Sequence, residues 1–297
     1  MSKRLKWFIA FDLVITLILL VVYFAPLGEQ RSAISTEGDV LLGQALLQSA
    51  GCVACHTQAD GPTLAGGPRL ATPFGDFYAP NITSSATYGI GTWTLAEFEA
   101  ALRQGVSPDG RPYYPAFPFA SYRSLTDADV AHLYRALRAT EPVDQPSVDH
   151  DLAFPFNVRL GLKPWRWLFA TTQSLEIDQS SELGRGRYLV DAVGHCGECH
   201  NPRNSLGAFI PPYLGGSAQI PGGFEAPALH GAALLARDWG AEDLSYFLDD
   251  GLLPDGDVVG GSMVEVIEMG TSYLNKADRD AIAAYLLSLV PPQHSPL

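Results

Sequence analysis

Two pentads constrain this chain more than anything else in it: Cys52-Val53-Ala54-Cys55-His56 and Cys196-Gly197-Glu198-Cys199-His200. Together they use all four cysteines of the sequence. Two thiols three positions apart can each add to a vinyl group of one porphyrin, and the histidine that follows then falls beneath the iron as proximal ligand. Cys-x-x-Cys alone also serves zinc and redox sites, so two buried disulfides or one four-cysteine zinc site are the alternatives. Neither needs the flanking histidines or the repeated surroundings. The pentads predict two covalently bound c-type haems, attached through Cys52, Cys55, Cys196 and Cys199, with His56 and His200 on the irons.

The repetition extends well beyond the pentads. Cys52 and Cys196 are 144 residues apart, while Trp93 and Trp239, Gly105 and Gly251, and Asp109-Gly110 and Asp255-Gly256 are each 146 apart. Spacing of this kind marks a duplicated module. The 297 residues suit two domains of about 100–150 residues plus connections, and a hydrophobic fraction of 47% is enough for real cores.

Each module reads as three helices with long loops. One approaches the pentad (39–49 and 182–193), a second follows it (94–104 and 241–250), and a third closes the module (126–138 and 275–289). Thr94-x-x-Glu97 and Thr126-x-x-Asp129 are capping-box patterns, Asn275 suits an N-cap, and Gly105 and Gly251 end the middle helices. Val130, Leu133 and Leu137, like Ile282, Leu286 and Leu289, recur at helical spacing and form core stripes. Helices joined by Gly- and Pro-rich loops around a large flat apolar cofactor make the cytochrome c fold. The expected class is all-α: two tandem class I-like cytochrome c domains behind an N-terminal transmembrane helix. The divisions are an anchor at 1–31, domain one at 32–142, a linker at 143–178 and domain two at 179–297.

The anchor rests on Trp7 to Ala25, which is almost wholly apolar and about as long as a membrane-spanning helix. Lys3, Arg4 and Lys6 precede it, and Pro26 and Gly28 close it. The positive flank stays cytoplasmic, which puts the rest of the chain in the periplasm of a bacterium, held at the inner membrane. The run is long for the apolar part of a signal peptide, and no clear small-x-small cleavage site follows. Asp12 inside the span is costly at membrane depth; it either faces a partner or sits shallow near the cytoplasmic end.

Charge separates the modules. Residues 176–297 hold 17 acidic and 6 basic side chains, and residues 32–150 hold 12 and 6. Such a surface disfavours nucleic acid and steers cationic partners, although it also serves solubility.

Three stretches carry a resemblance to a known family. They are Thr72-Pro73-Phe74-Gly75 with Ala79-Pro80-Asn81-Ile82-Thr83 and Gly89-Ile90-Gly91; Phe154 to Arg159 with Trp165; and His195 to His200 followed by Asn201-Pro202-Arg203-Asn204. The chain resembles the multihaem cytochrome c subunits of periplasmic membrane-bound dehydrogenases for alcohol, gluconate and related polyols, over nearly everything after the anchor. Those subunits usually carry three haems, and this sequence has two pentads. The resemblance implies electron transfer without catalysis by this chain. The donor would be a periplasmic dehydrogenase, and the acceptor a cationic cytochrome, a cupredoxin, or a membrane oxidase or quinone-linked complex.

The sixth ligands decide the chemistry at each iron. A thioether opposite histidine stabilises ferrous iron and raises the potential. Met263, after Gly260-Gly261 and before the last helix, matches the family's ligand; Met269 is the fallback. In module one the 146-residue offset puts Phe117 at that place, and phenylalanine cannot bind iron. The first iron is then five-coordinate, or bound by His150, His132, Tyr114 or a partner, while His195 and His230 read as structural. Trp93 and Trp239, through the indole N–H, and Arg69 and Arg203, through charge, are candidate partners of the haem propionates. The alternative function is a haem enzyme or a gas or peroxide sensor using an open first iron. No arrangement of His, Arg and Glu near Phe117 matches peroxide cleavage, which favours the carrier.

Overall fold

A computed structural model describes residues 2–27, 33–170 and 176–290. Gly28, Arg31 and Pro291-Pro292 lie outside them. The apolar N-terminal run forms helix α1 (Lys3–Phe24), capped where the Ser2 hydroxyl accepts from the Leu5 N–H. None of its residues is buried, and Asp12 lies on its exposed surface. At 1.5 Å per residue its 22 residues span roughly 33 Å, long enough and apolar enough to cross a bilayer.

Five of the six expected helices follow within one residue at each end, with short extra turns between them. The first set contains α2 (Val40–Ser49), α3 (Cys52–His56), α4 (Leu95–Gln104), α5 (Phe119–Tyr122) and α6 (Asp127–Arg138). A connecting helix, α7 (Leu162–Phe169), comes next. The second set contains α8 (Glu182–Tyr188), α9 (Gly197–His200), α10 (Gly231–Leu235), α11 (Ala241–Asp250), α12 (Met263–Glu268) and α13 (Lys276–Ser288). After α8 the chain continues as a π turn over Leu189–Val193, so the expected helix 182–193 changes its winding just before the second pentad.

In each set the helix entering the pentad crosses the closing helix, α2 on α6 and α8 on α13. Glycine permits the close approach: a Cβ on Gly43 would stand 2.0 Å from the His132 carbonyl oxygen, and one on Gly186 would stand 1.9 Å from that of Ala281. Thr94 and Glu97 complete a capping box on α4, and Asn275 caps α13. Thr126 makes only half of its expected box. The Asp129 carboxylate, instead of turning back to the Thr126 N–H, accepts from the Tyr188 hydroxyl, and that hydroxyl accepts the Thr126 N–H at 3.1 Å. Tyr188 comes from the second set, so a cap within one set is completed by the other.

The class is chiefly helical but not purely so. Strands β1 (Arg69–Thr72), β2 (Gly75–Tyr78) and β3 (Asp151–Leu152) form a small antiparallel sheet in that order. The Thr72 to Gly75 turn makes a hairpin, and Gly75, with φ at +120°, lets the Asp151 carbonyl come within 2.3 Å of where a Cβ would be. Such a short pairing has too few residues for a period-two pattern to be visible in sequence. Most of the buried hydrophobic residues form one contiguous cluster from Leu47 through Tyr122, Leu133, Tyr188, Leu214 and Leu248 to Leu286.

Candidate functional site

Each pentad begins at the end of an entering helix and turns its histidine inward. Gly51, in the left-handed conformation, breaks α2 from α3, and His195 with φ at +39° does the same ahead of Cys196. His56 and His200 are both buried. The Nδ1–H of His56 donates to the Pro80 carbonyl at 2.7 Å, and that of His200 donates to the Pro227 carbonyl at 2.7 Å. Each histidine's own carbonyl accepts from a glycine N–H, Gly66 at 3.0 Å and Gly216 at 2.8 Å. Both rings are thereby fixed in one tautomer, with Nε2 left to ligate and its basicity raised by the bond at Nδ1. Burial lowers both histidine pKa values, the hydrogen bonds opposing it, so the imidazoles are neutral, as ligands must be.

The four cysteines are not paired with one another as disulfides. Burial pushes Cys52 and Cys196 up to about 12 and raises Cys199. Cys55 is exposed at the edge of its turn, yet the protein around its sulfur, with Cys199 and Glu265 nearby, still pushes it up to about 11. Thiols held protonated in this way are poor redox thiolates, which speaks against a disulfide-exchange role. No group of three or more His, Cys, Asp or Glu side chains converges on a metal-like site among the described residues. Thiol pairs beside preset imidazoles, in two matched copies, fit haem c.

The two pentads are packed against one another. The Tyr122 hydroxyl donates to the Ala50 carbonyl at 2.6 Å, just before the first pentad. Its ring meets that of His195, just before the second, edge to face at 5.4 Å between centroids. His195 Nε2 lies 3.4 Å from the same Ala50 oxygen, and a Cβ on Gly51 would stand 3.2 Å from that nitrogen. The Ser121 hydroxyl reaches the Glu198 carboxylate at 3.4 Å. Sequence reasoning left His195 as structural and did not single out Tyr122. The offset by one position from the pentad was the available signal, but the partner lies 73 residues away in the chain.

The remaining candidates are placed less uniformly. Met263 opens α12, half-buried against the core cluster, and Met269 caps the end of the same helix. Phe117 lies between the rings of Tyr113 and Tyr122, with centroids at 5.8 and 5.7 Å. His150 Nδ1 accepts the Tyr78 N–H at 3.2 Å, and its ring packs on Phe77 and Tyr114. His132 Nδ1 accepts the Asp39 N–H at 2.7 Å at the start of α2, and the Tyr114 hydroxyl donates to the Phe156 carbonyl. All three alternative ligands for the first iron are thus engaged in holding the fold. His230 caps α10.

Trp93 and Trp239 precede α4 and α11 at matching places; the Trp93 carbonyl accepts from Tyr134, and Trp239 packs edge-on to Phe247. Arg69 pairs with Asp76 across the hairpin at 2.5 Å and is largely exposed. Arg203 pairs with Glu198 at 2.6 Å and also donates to the Glu198 and Gly207 carbonyls. In both cases the guanidinium charge is spent on a neighbouring carboxylate, and Arg203 acts by fixing the residue between the second pair of cysteines.

No family model matches the chain. It is 42% identical over 256 residues to a diheme cytochrome c-type protein of Cereibacter sphaeroides, covering 84% of this chain and 85% of that one. It is 41% identical over 272 residues to the fructose dehydrogenase cytochrome subunit of Gluconobacter japonicus, covering 88% of this chain and 54% of that subunit. With the gluconate 2-dehydrogenase cytochrome c subunit of Pantoea cypripedii the identity is 36% over 291 residues, covering 93% of this chain and 64% of that subunit. The chain therefore spans little more than half the length of these dehydrogenase subunits.

Proposed function

Because the chain belongs to the family of dihaem and multihaem c-type cytochromes that includes dehydrogenase cytochrome subunits, we propose that it is a membrane-anchored electron carrier. It takes electrons from a dehydrogenase on the periplasmic side of a bacterial inner membrane and passes them to a respiratory acceptor. Residues 32–142 and 179–297 are its two haem domains, joined by 143–178 and held by the anchor at 1–31.

The observation that carries this reading is the pair of identical arrangements, each a buried histidine locked by a proline carbonyl beside two cysteines, interlocked through Tyr122 and His195. Each haem c, when bound, supplies a one-electron iron couple. His56 and His200 would each hold one iron, and Met263 would supply a second bond to the iron in the second domain. Tyr122, His195 and the Ala50-Gly51 backbone fill the space between the pentads with packed protein, the medium a carrier needs between two redox groups. The acidic second domain gives the field that draws a cationic acceptor and raises the encounter rate.

The test uses membranes that hold the full chain. Its haem absorption should be reduced when the substrate of a periplasmic dehydrogenase is added and reoxidised through the respiratory chain. Cys196→Ala with Cys199→Ala should lose one haem and break the passage. Phe117 favours a second reading, an open first iron that binds small ligands. Stoichiometric carbon monoxide binding together with peroxide turnover faster than electron passage would select it.

A further inference from the structure

Helix α7 is fastened to the body on one side and to the anchor on the other. Arg166 is buried; it donates to the Gln104 carbonyl and, at 2.9 Å, to that of Gly105 at the end of α4, with its guanidinium 4.6 Å above the Phe119 ring. The Trp165 indole N–H donates to the Leu206 carbonyl at 2.9 Å. Lys163 reaches the other way, its ammonium donating to the carbonyls of Tyr23 at 2.7 Å and Ala25 at 2.9 Å. Tyr23 lies in the last turn of α1 and Ala25 caps it; carbonyls at a helix C-terminus lack a partner within the helix and carry its negative dipole end.

This rigid helix leaves large apolar side chains in the open. Trp167 is 51% exposed, Leu168 is 74% exposed, and nearby in sequence Phe154 is 80% exposed. Lys163 and Trp167 are four residues apart and share a helix face. The segment is also free of carboxylates in an acidic chain: residues 152–170 contain Arg159, Lys163 and the buried Arg166 and no Asp or Glu, in a protein of net charge −13.

We propose that α7 lies in the headgroup region of the membrane that α1 crosses, with Trp167 and Leu168 in the outer leaflet, so that the haem-bearing body is held at a fixed tilt. The inference rests on α1 being a span. If it is, its end lies at the lipid–water boundary, and Lys163, bonded to that end, lies at the same height. One turn further along the same face is Trp167. Tryptophan and lysine at this level are the side chains that suit the boundary, the indole with its apolar body and polar N–H and the lysine with its apolar stem. Cationic charge beside an apolar face adds attraction to anionic lipid.

The test places a nitroxide on a ketone-bearing amino acid at position 168 of the full-length haem-loaded protein, in vesicles of phosphatidylethanolamine and phosphatidylglycerol. The same label at Tyr246, exposed in α11, is the reference. Haem spectra establish that both proteins are folded, and flotation with the vesicles tests the span; a chain that fails to float overturns this proposal and the anchor with it, while leaving electron transfer by the two haems standing. The label at 168 should be more accessible to oxygen than to a water-soluble nickel complex, with the order reversed at 246. Water-like accessibility at 168 overturns the proposal. So does shielding from both reagents, which would mean a protein contact.

Discussion

Phe117 and Met263, 146 residues apart, follow matched turns of the chain. The hydrogen bonds leading to the two residues match: the Tyr113 N–H donates to the Gly105 carbonyl at 2.8 Å, and the Val259 N–H, 146 residues later, donates to the Gly251 carbonyl at 2.9 Å. The bridges Val106–Pro112 and Leu252–Val258 match in the same way. The backbone leading towards the two residues is repeated within the molecule, and one copy carries a ring where the other carries a thioether.

The two midpoint potentials should therefore differ, with the first haem lower. Axial ligands set haem potentials over about 0.8 V, and loss of a thioether removes a ligand that favours ferrous iron. A redox titration should resolve two steps, and Phe117→Met should raise the lower one towards the higher. Coincident wild-type midpoints, or no response to Phe117→Met, would mean that the first iron has another strong ligand.

Met263→Ala should remove the weak near-infrared band of His/Met ferric haem and lower the second potential. Met269→Ala, at the other end of the same helix, should leave both unchanged. The reverse result would transfer the ligand role to Met269.

The helices and the pentads were legible because their signals are local. Thr94, Asn275, Gly105 and Gly251 mark helix ends by their own chemistry, and the expected bounds agree with the structure to within one or two residues. What was not legible depends on partners distant in sequence. Asp129 looks like half of a capping box until Tyr188 takes its carboxylate, and Arg203 looks like a free cation until Glu198 claims it. The α7 helix has only eight residues, too short for a clear 3.6-residue period, and its binding to α1 and α4 through Lys163 and Arg166 has no sequence signature.

The crossing glycines should be intolerant of even one carbon. Gly186→Ala puts a Cβ 1.9 Å from the Ala281 oxygen, which forces α8 off α13 and costs on the order of 1–3 kcal/mol or more for overpacking. Gly260→Ala meets nothing within 4 Å and should stay within about 0.5 kcal/mol of wild type. Guanidinium unfolding of the two haem-loaded proteins gives the comparison; equal midpoints would show that α8 and α13 can separate freely.

The anchor should behave as a span and not as a leader. The full chain should remain with membranes through high salt and alkaline washing, while a chain that begins at Arg31 behind a cleavable export signal should be released into the periplasm with both haems attached. N-terminal sequencing that found the mature protein starting beyond Ala25 would overturn this.

Tyr122 should couple the two domains mechanically, because its hydroxyl holds Ala50 and its ring holds His195. Tyr122→Phe keeps the ring and loses one buried hydrogen bond, a cost of about 1 kcal/mol. Tyr122→Ala also empties a fully packed site, since the residue is 4% exposed, and removal of a buried aromatic ring costs about 3–5 kcal/mol. The contiguous core predicts that wild type and Tyr122→Phe unfold in one transition followed at either haem. In Tyr122→Ala the contact between pentads is gone, so transfer between the haems after rapid reduction should slow while the equilibrium potentials move little. If Tyr122→Ala leaves both the unfolding midpoint and the transfer rate as in wild type, the two pentads communicate by another route and the Tyr122–His195 contact is incidental.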